Sequence, residues 1–290
     1  PDWSRGLGDV YKRQMENGVE NTARIIMTPR IPYDTDISEQ QWQLLKPHLP
    51  EAKTGGRKRT TNLREVINAV FYLLRAGCAW RLLPHDFPKW QTVYSYFRQW
   101  QEDGTWRHLN DVFREKLRII WGRNPKPSAG CLDSQSVKKA GAGQESGFDG
   151  GKKVNGRKRT ILVDTTGMLL AAVVHGAHRS DHKGLTLLAT WFAPLWQCLQ
   201  LIWTDSTFGG KDFITWIQKT FGWTLDVVKK KEGQKGFEVL PRRWVVERTF
   251  AWFGRYRRLS KDYEYLPTTS ETMLYICLLY TSDAADDTRS

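Results

Sequence analysis

Three carboxylates carry the chemistry that this chain could perform: Asp133, Asp205 and Glu247. Glu247 lies in Pro241-Arg242-Arg243-Trp244-Val245-Val246-Glu247-Arg248-Thr249-Phe250-Ala251-Trp252-Phe253-Gly254-Arg255-Tyr256-Arg257-Arg258, an acid among arginines and aromatics. Asp133 and Asp205 each stand at the end of a short apolar run, Ala129-Gly130-Cys131-Leu132 and Leu199-Gln200-Leu201-Ile202-Trp203. A single carboxylate in a basic segment is ordinarily an ion-pair partner. Three on separate elements of a basic chain suggest a Mg2+ site, with Mn2+ as the alternative, that acts on phosphodiesters. Mg2+ is a hard cation that takes oxygen ligands and uses only one or two carboxylates, with phosphates and water completing its shell. Two such ions, roughly 4 Å apart, clamp the attacking and leaving oxygens of an in-line displacement. One bridging aspartate and two further carboxylates are the minimal protein contribution, and the neighbouring arginines would offset phosphate charge.

Spacing alone does not single these residues out from 31 acids. Asp164 precedes Thr165-Thr166-Gly167 and is expected to serve that turn. Asp181 belongs to His175-x-x-His178-x-x-Asp181-His182, which a zinc ion could use. No thiolate accompanies it, and capping or phosphate contact is the commoner use of such histidines.

Charge points to the partner. The formal net charge is +13, from 44 Lys+Arg against 31 Asp+Glu, with a pI near 9.6. This is the electrostatic footprint of a protein that neutralises phosphates. Fourteen Trp and 40% apolar residues exclude a disordered tail. Cys78, Cys131, Cys198 and Cys277 form no CxxC pair, so neither a zinc ribbon nor a disulfide framework is indicated and a cytoplasmic setting is expected. No apolar run approaches the roughly 18 residues of a membrane span, and no secretory signal opens the chain.

The elements that must position the acids fall into two groups. Ser38-Glu39-Gln40-Gln41 reads as a capping box opening a helix that ends before Pro47. Leu63, Val66, Ile67, Val70, Phe71 and Leu74 predict a second helix, with Gly77 as its C-terminal cap. A third starts near Gln91 with Val93, Tyr94, Phe97 and Trp100 on one face, and a fourth carries Leu109, Val112, Phe113 and Leu117. Together these predict a helical domain over 36–122, preceded by an arm over 15–35. From Pro125 the texture changes to strand and helix in alternation, over 123–276. Expected there are a strand ending at Asp133, a hairpin over 160–174, a helix over 185–191, a strand delivering Asp205, a helix over 213–221, a strand over 225–228 and a long helix bearing Glu247. That order predicts an α/β sheet with flanking helices, and both aspartates would sit at carboxyl ends of strands, where open α/β sheets bind ligands.

The two ends share an unexpected relation. GAT GTG TAT AAG AGA CAG encodes Asp9 to Gln14, and its reverse complement, read one base over, encodes Cys-Leu-Leu-Tyr-Thr, as found at Cys277 to Thr281. Both resemble translated adaptors of transposon-based sequencing libraries. Residues 1–14 and 277–290 are therefore set aside from fold reasoning as expected adaptor scars, with Met15 or Met27 as the natural start.

Two basic segments share the pentapeptide Gly-Arg-Lys-Arg-Thr, at Gly56–Thr60 and Gly156–Thr160. Both are read as loops. Arg57, Lys58 and Arg59 in the first, and Lys152, Lys153, Arg157, Lys158 and Arg159 around the second, are candidates for phosphate contact; two unrelated solvated loops are the alternative. Arg243, Arg248, Arg255 and Arg257 beside Glu247 complete the DNA-facing set.

Asp133-Ser134-Gln135-Ser136-Val137-Lys138, Gly151 to Arg159, and Gly236-Phe237-Glu238-Val239-Leu240-Pro241 running on to Ala251-Trp252 closely resemble a bacterial insertion-sequence transposase of the insertion sequence 5 family. Ile37 to Trp42 and Gly77-Cys78-Ala79-Trp80-Arg81-Leu82-Leu83-Pro84 resemble that family's helical domain, so the resemblance spans roughly 36–276. It implies a ribonuclease-H-like fold and a DDE triad, carried over as Asp133, Asp205 and Glu247. Two departures stand out. The family often reads Ala-Asp-Gly-Gly-Tyr at the second aspartate, where this chain has Thr204-Asp205-Ser206-Thr207-Phe208. The signature Tyr-x2-Arg-x3-Glu-x6-Lys keeps Arg243 and Glu247 but has Leu240 and Gly254 at its ends, leaving Arg255 or Arg257 to supply the cation. The implied function is Mg2+-dependent DNA cleavage and strand transfer at terminal inverted repeats, by a nucleoid-associated homodimer or larger assembly. The rivals are an inactive relic that still binds transposon ends, and a nuclease of the same fold that cuts but never joins.

Overall fold

The computed structural model describes residues 30–52, 54, 55, 58–228 and 244–287, with 281–287 described by backbone alone. Residues 1–14, Met15, Met27, Arg57, Leu240 and Arg243 lie outside them.

The helical region begins as its caps dictate. Helix α1 (Glu39–Leu45) starts at Ser38, whose hydroxyl accepts from the Gln41 amide at 3.2 Å while the Gln41 side chain accepts from the Ser38 amide at 2.6 Å. Helix α2 (Leu63–Ala76) is capped by Asn62 and ends at Gly77 with φ 72°. A side chain at position 77 would be strained, and its Cβ would come 2.7 Å from the Arg257 Cβ, so glycine also permits this close approach. Helices α3 (Trp90–Glu102) and α4 (Thr105–Ile120) bury the expected stripe of Val93, Phe97, Trp100, Leu109, Phe113 and Leu117. Tyr94, expected on that stripe, is exposed.

The sheet follows. Strands β1 (Ala129–Lys138), β2 (Gly147–Asp149), β3 (Val154–Asp164) and β4 (Leu169–Gly176) are followed by helix α5 (Asp181–Phe192), strand β5 (Leu201–Thr204), helix α6 (Lys211–Phe221) and strand β6 (Thr224–Val227). The six-stranded sheet runs β2-β3-β1-β5-β6, with β4 also on β3. β1, β3 and β4 pair antiparallel, whereas β1, β5 and β6 are parallel, which requires crossover connections such as α6. Helices α7 (Trp244–Gly254) and α8 (Pro267–Asp287) close the chain. This is the expected α/β, ribonuclease-H-like class behind a helical region.

Strand alternation divides the core. Leu132, Leu162 and Ile202 point into a cluster with Leu185 and Leu188 of α5 and Ile217 of α6. Cys131, Ile161, Val163 and Trp203 point the other way, into a cluster with Val245, Val246 and Phe253 of α7, with α8, and with the helical region. The described residues from Tyr33 onward form one compact unit. No helix among the described residues is long and apolar enough to cross a membrane.

One expectation about local structure is corrected. Gly156–Thr160 is not a loop: β3 extends from Val154, and every residue from Gly156 to Asp164 is buried. Helix α8 includes the start of the segment set aside as adaptor sequence, and Cys277, Leu278 and Leu279 are fully buried there.

Candidate functional site

The register of β1 and β5 sets the geometry of the site. Their last pair is Cys131 with Trp203, so Asp133 lies two residues farther along β1 while Asp205 follows directly on the end of the adjacent parallel strand β5. Adjacent strands are about 4.8 Å apart. Because side chains alternate, both aspartates emerge on the face of Cys131 and Trp203, which α7 covers. Asp205 remains extended (φ −86°, ψ 178°) and caps the short 3-10 turn Ser206–Phe208, where its carboxylate accepts from the Thr207 amide at 2.9 Å and from the Thr207 hydroxyl. Asp133 accepts from the Ser134 amide at 2.6 Å.

Glu247 is exposed in the first turn of α7, beside the buried Val245 and Val246 that seat this helix on β1. Thr249 fixes the helix further, donating to the Gly167 carbonyl at 2.8 Å. Arg248, expected to face DNA, turns inward instead. It donates to the Thr166 carbonyl at 2.7 Å, and its guanidinium lies 4.6 Å from the Trp244 ring and 4.8 Å from the Trp252 ring. The turn that holds α7 is itself held by Asp164. This fully buried carboxylate pairs with Arg118 at 2.6 Å and accepts from the Thr166 and Met168 amides. Asp164 is therefore a turn residue, as its position predicts.

Asp181 lies on the opposite face of the sheet. It accepts from the Ser134 hydroxyl at 2.6 Å and pairs with Lys158 at 3.1 Å, while Asp149 accepts from Ser136 at 2.5 Å. Burial alone would favour the neutral acid at Asp181, but the hydrogen bonds from Ser134 and Lys158 outweigh it and hold its carboxyl below the ordinary range. Sequence reasoning does not find this cluster; its one signal is two hydroxyls, Ser134 and Ser136, at strand period beyond Asp133. The histidines go to separate partners. His175 meets Thr160 at 3.2 Å, and His182 meets the Gly209 carbonyl at 2.9 Å. Among the described residues no three His, Cys, Asp or Glu side chains are grouped closely enough to hold a metal ion, so neither zinc nor an assembled triad is displayed. The chemistry of Asp133, Asp205 and Glu247 nevertheless suits Mg2+: oxygen donors only, two of them at matching positions of neighbouring strands.

The basic candidates divide by burial. Arg157 and Arg159 are buried, and Lys158 nearly so, which removes all three from the DNA-facing set. Arg157 pairs with Asp262 at 3.0 Å and donates to the carbonyls of Glu145, Glu264 and Tyr265. Lys158 donates to the Arg179 carbonyl at 3.0 Å, and Arg159 to the Leu259 carbonyl at 2.9 Å. Burial pushes the Arg159 guanidinium down to about 10, with Asp262 opposing, so it remains charged at neutral pH. Arg59 holds its own loop through the carbonyls of Pro50 and Glu51. Lys58, Lys152, Lys153, Arg255 and Arg257 are exposed, with Lys152 reaching the Ser134 carbonyl next to Asp133 at 3.0 Å.

Comparison with known proteins adds two family matches. Residues 124–282 match the family described as "Transposase DDE domain", and residues 37–110 match "Putative transposase of IS4/5 family". The chain is 30% identical over 117 residues to the "Insertion element IS402 uncharacterized 16.2 kDa protein" of Burkholderia cepacia, covering 38% of this chain and 78% of that protein. It is 25% identical over 85 residues to "Uncharacterized protein y4sN" of Sinorhizobium fredii (strain NBRC 101917 / NGR234), covering 29% and 68% respectively.

Proposed function

Because this chain belongs to the DDE-domain transposases of the IS4/5 insertion-sequence group, we propose that it binds the terminal inverted repeats of its element and both cuts and joins DNA there. The observation that carries this reading is the matched placement of Asp133 and Asp205 on adjacent parallel strands, under the helix that bears Glu247. Bound Mg2+, held by those three carboxylates, would supply a more acidic water and neutralise charge on the phosphate. The strand ends fix where the two aspartates stand, and α7, anchored at Thr166 and Gly167, fixes the approach of Glu247. Water attacks the phosphodiester at the element end, the bond from phosphorus to the 3′ oxygen breaks, and a 3′-hydroxyl and a 5′-phosphate result. The 3′-hydroxyl then attacks a target phosphodiester and displaces its 3′ oxygen, so one bond forms as one breaks. Lys152, beside Ser134, and the exposed Lys153, Arg255 and Arg257 supply phosphate contacts, and residues 36–122 carry recognition of the repeat, while 123–276 carry the chemistry.

The test incubates the purified protein with duplex DNA carrying the element's ends, in Mg2+ and in EDTA. Nicking in Mg2+ alone, followed by appearance of strand-transfer product, supports the proposal. Binding without nicking identifies an end-binding relic, and nicking without joining identifies a nuclease.

A further inference from the structure

Five aromatic side chains surround one open cleft that none of the chemistry above uses. The loop after α2 supplies Trp80, α3 supplies Trp90 and Tyr94, and the segment before α8 supplies Tyr263 and Tyr265. The cleft holds about 580 Å3 and continues along α3 into a second hollow that shares Trp90 and Tyr94. Tyr94, Tyr263 and Tyr265 are 37%, 44% and 61% exposed, although Tyr94 sits at a position where helical spacing predicts burial. Large aromatics kept in water around a concave surface mark a binding site rather than a core.

The lining selects the ligand by its charge and shape. Its one acid, Glu264, is nearly buried and neutralised by Arg258 at 2.6 Å, which leaves Arg81 as surplus positive charge, 5.6 Å above the Trp90 ring. An aromatic wall with a cationic rim suits flat π surfaces strung on an anionic backbone. Paired DNA shows only base edges and phosphates, so only unpaired bases can offer their faces. We propose that this cleft stacks unpaired nucleobases of a DNA strand, the elongated groove taking more than one nucleotide. The inference rests on the reading of the chain as a DNA-processing protein and adds a site for single-stranded DNA.

Tyr265 is the residue to change, because the hydrogen bonds recorded for it run through its carbonyl, which accepts from Arg157 and from the Gln144 amide, and truncation leaves these in place. Fluorescence anisotropy in EDTA would compare a blunt duplex, the same duplex with a three-nucleotide single-stranded tail, and the same tail built of abasic nucleotides. The full-length protein should bind the tailed duplex about tenfold more tightly than the blunt one, as expected for stacking of one or two bases. The abasic tail and Tyr265→Ala should each abolish that preference, and Tyr265→Phe should restore it. An abasic tail that binds as well as the normal one, or a preference that survives in Tyr265→Ala, overturns the inference. So does duplex binding without any tail preference, and in that case the transposase reading stands. Failure to bind any of the DNAs overturns both.

Discussion

Replacing Arg157 with Met separates a structural arginine from a DNA-contacting one. In the sequence Arg157 looks like one of a run of solvated cations, but its side chain is 0% exposed and pairs with an equally buried Asp262 at 3.0 Å. Removing one partner of a buried pair strands the other charge, at a cost of about 3–5 kcal/mol. The lower end applies here, since Asp262 keeps hydrogen bonds from the Glu264 amide at 3.0 Å and the Ser270 hydroxyl at 2.9 Å. For a folded unit of this size each kcal/mol shifts the melting temperature by roughly 2–4 °C, so Arg157→Met should melt roughly 6–12 °C lower. Asp262→Asn in the same chain should recover part of the loss by removing the stranded charge. At a temperature where both proteins are folded, the dependence of DNA affinity on salt should be unchanged, because no phosphate contact is lost. Thermal unfolding and salt-titrated anisotropy measure the two quantities. An unchanged melting temperature, together with a log–log salt slope reduced by about 0.9, would be the signature of a phosphate contact and would refute the structural role.

Three further outcomes follow from other parts of the molecule. Lys153→Ala should behave in the opposite way to Arg157→Met, with an unchanged melting temperature and a salt slope smaller by about 0.9, since the Lys153 side chain is exposed. Glu271 is only partly exposed; burial raises its carboxyl from the ordinary 4.5 to about 7, against the Val174 amide and the charges of Arg107 and Arg157, with Glu145 reinforcing the rise. The folded state therefore holds this proton more tightly than the unfolded chain, so the stability that Glu271 contributes is fully present below pH 4.5 and is lost as pH rises through about 7. The difference is at most about 3 kcal/mol, less for the part that water reaches, and Glu271→Gln should remove it, raising the melting temperature at pH 8 but hardly at pH 5. Gly184→Ala places a methyl 2.4 Å from the Thr160 hydroxyl and 2.7 Å from the His175 ring. Despite the better helix propensity of alanine, it should cost about 1–3 kcal/mol by overpacking, read from denaturant unfolding.

Much of the frame is legible from local signals. The capping box at Ser38, the glycine stop at position 77 and the turn after Asp164 are contacts between near neighbours, and the structure contains all three. The strands delivering Asp133 and Asp205 are legible as apolar runs. The first half of β3, Val154 to Arg159, is hidden because its buried charges are satisfied from far along the chain: Arg157 by Asp262 and Tyr265, Arg159 by Leu259. A window that sees only Arg-Lys-Arg reads a solvated loop. Helix α8 escapes for a different reason: its second half falls in the segment set aside as adaptor sequence, and Met273 to Leu279 are buried all round, so no polar face gives it a period. Tyr94 has the spacing of a core residue, yet the cleft beside it leaves its ring in water. For the site, sequence supplies the three acids, but only strand register shows that two of them stand side by side while Asp181 lies beneath the sheet.

The most direct test concerns Asp205, which sits in the motif that departs most from its family. Nicking of DNA carrying the element's ends should be measured in Mg2+ for the unaltered protein and for Asp205→Ala, with melting temperature and DNA affinity checked in parallel. Fold and affinity should be retained in Asp205→Ala, with a nicking rate lower by a factor on the order of a hundred or more, as for loss of a group that stabilises transition-state charge. Undiminished nicking by Asp205→Ala would contradict a catalytic role for this residue.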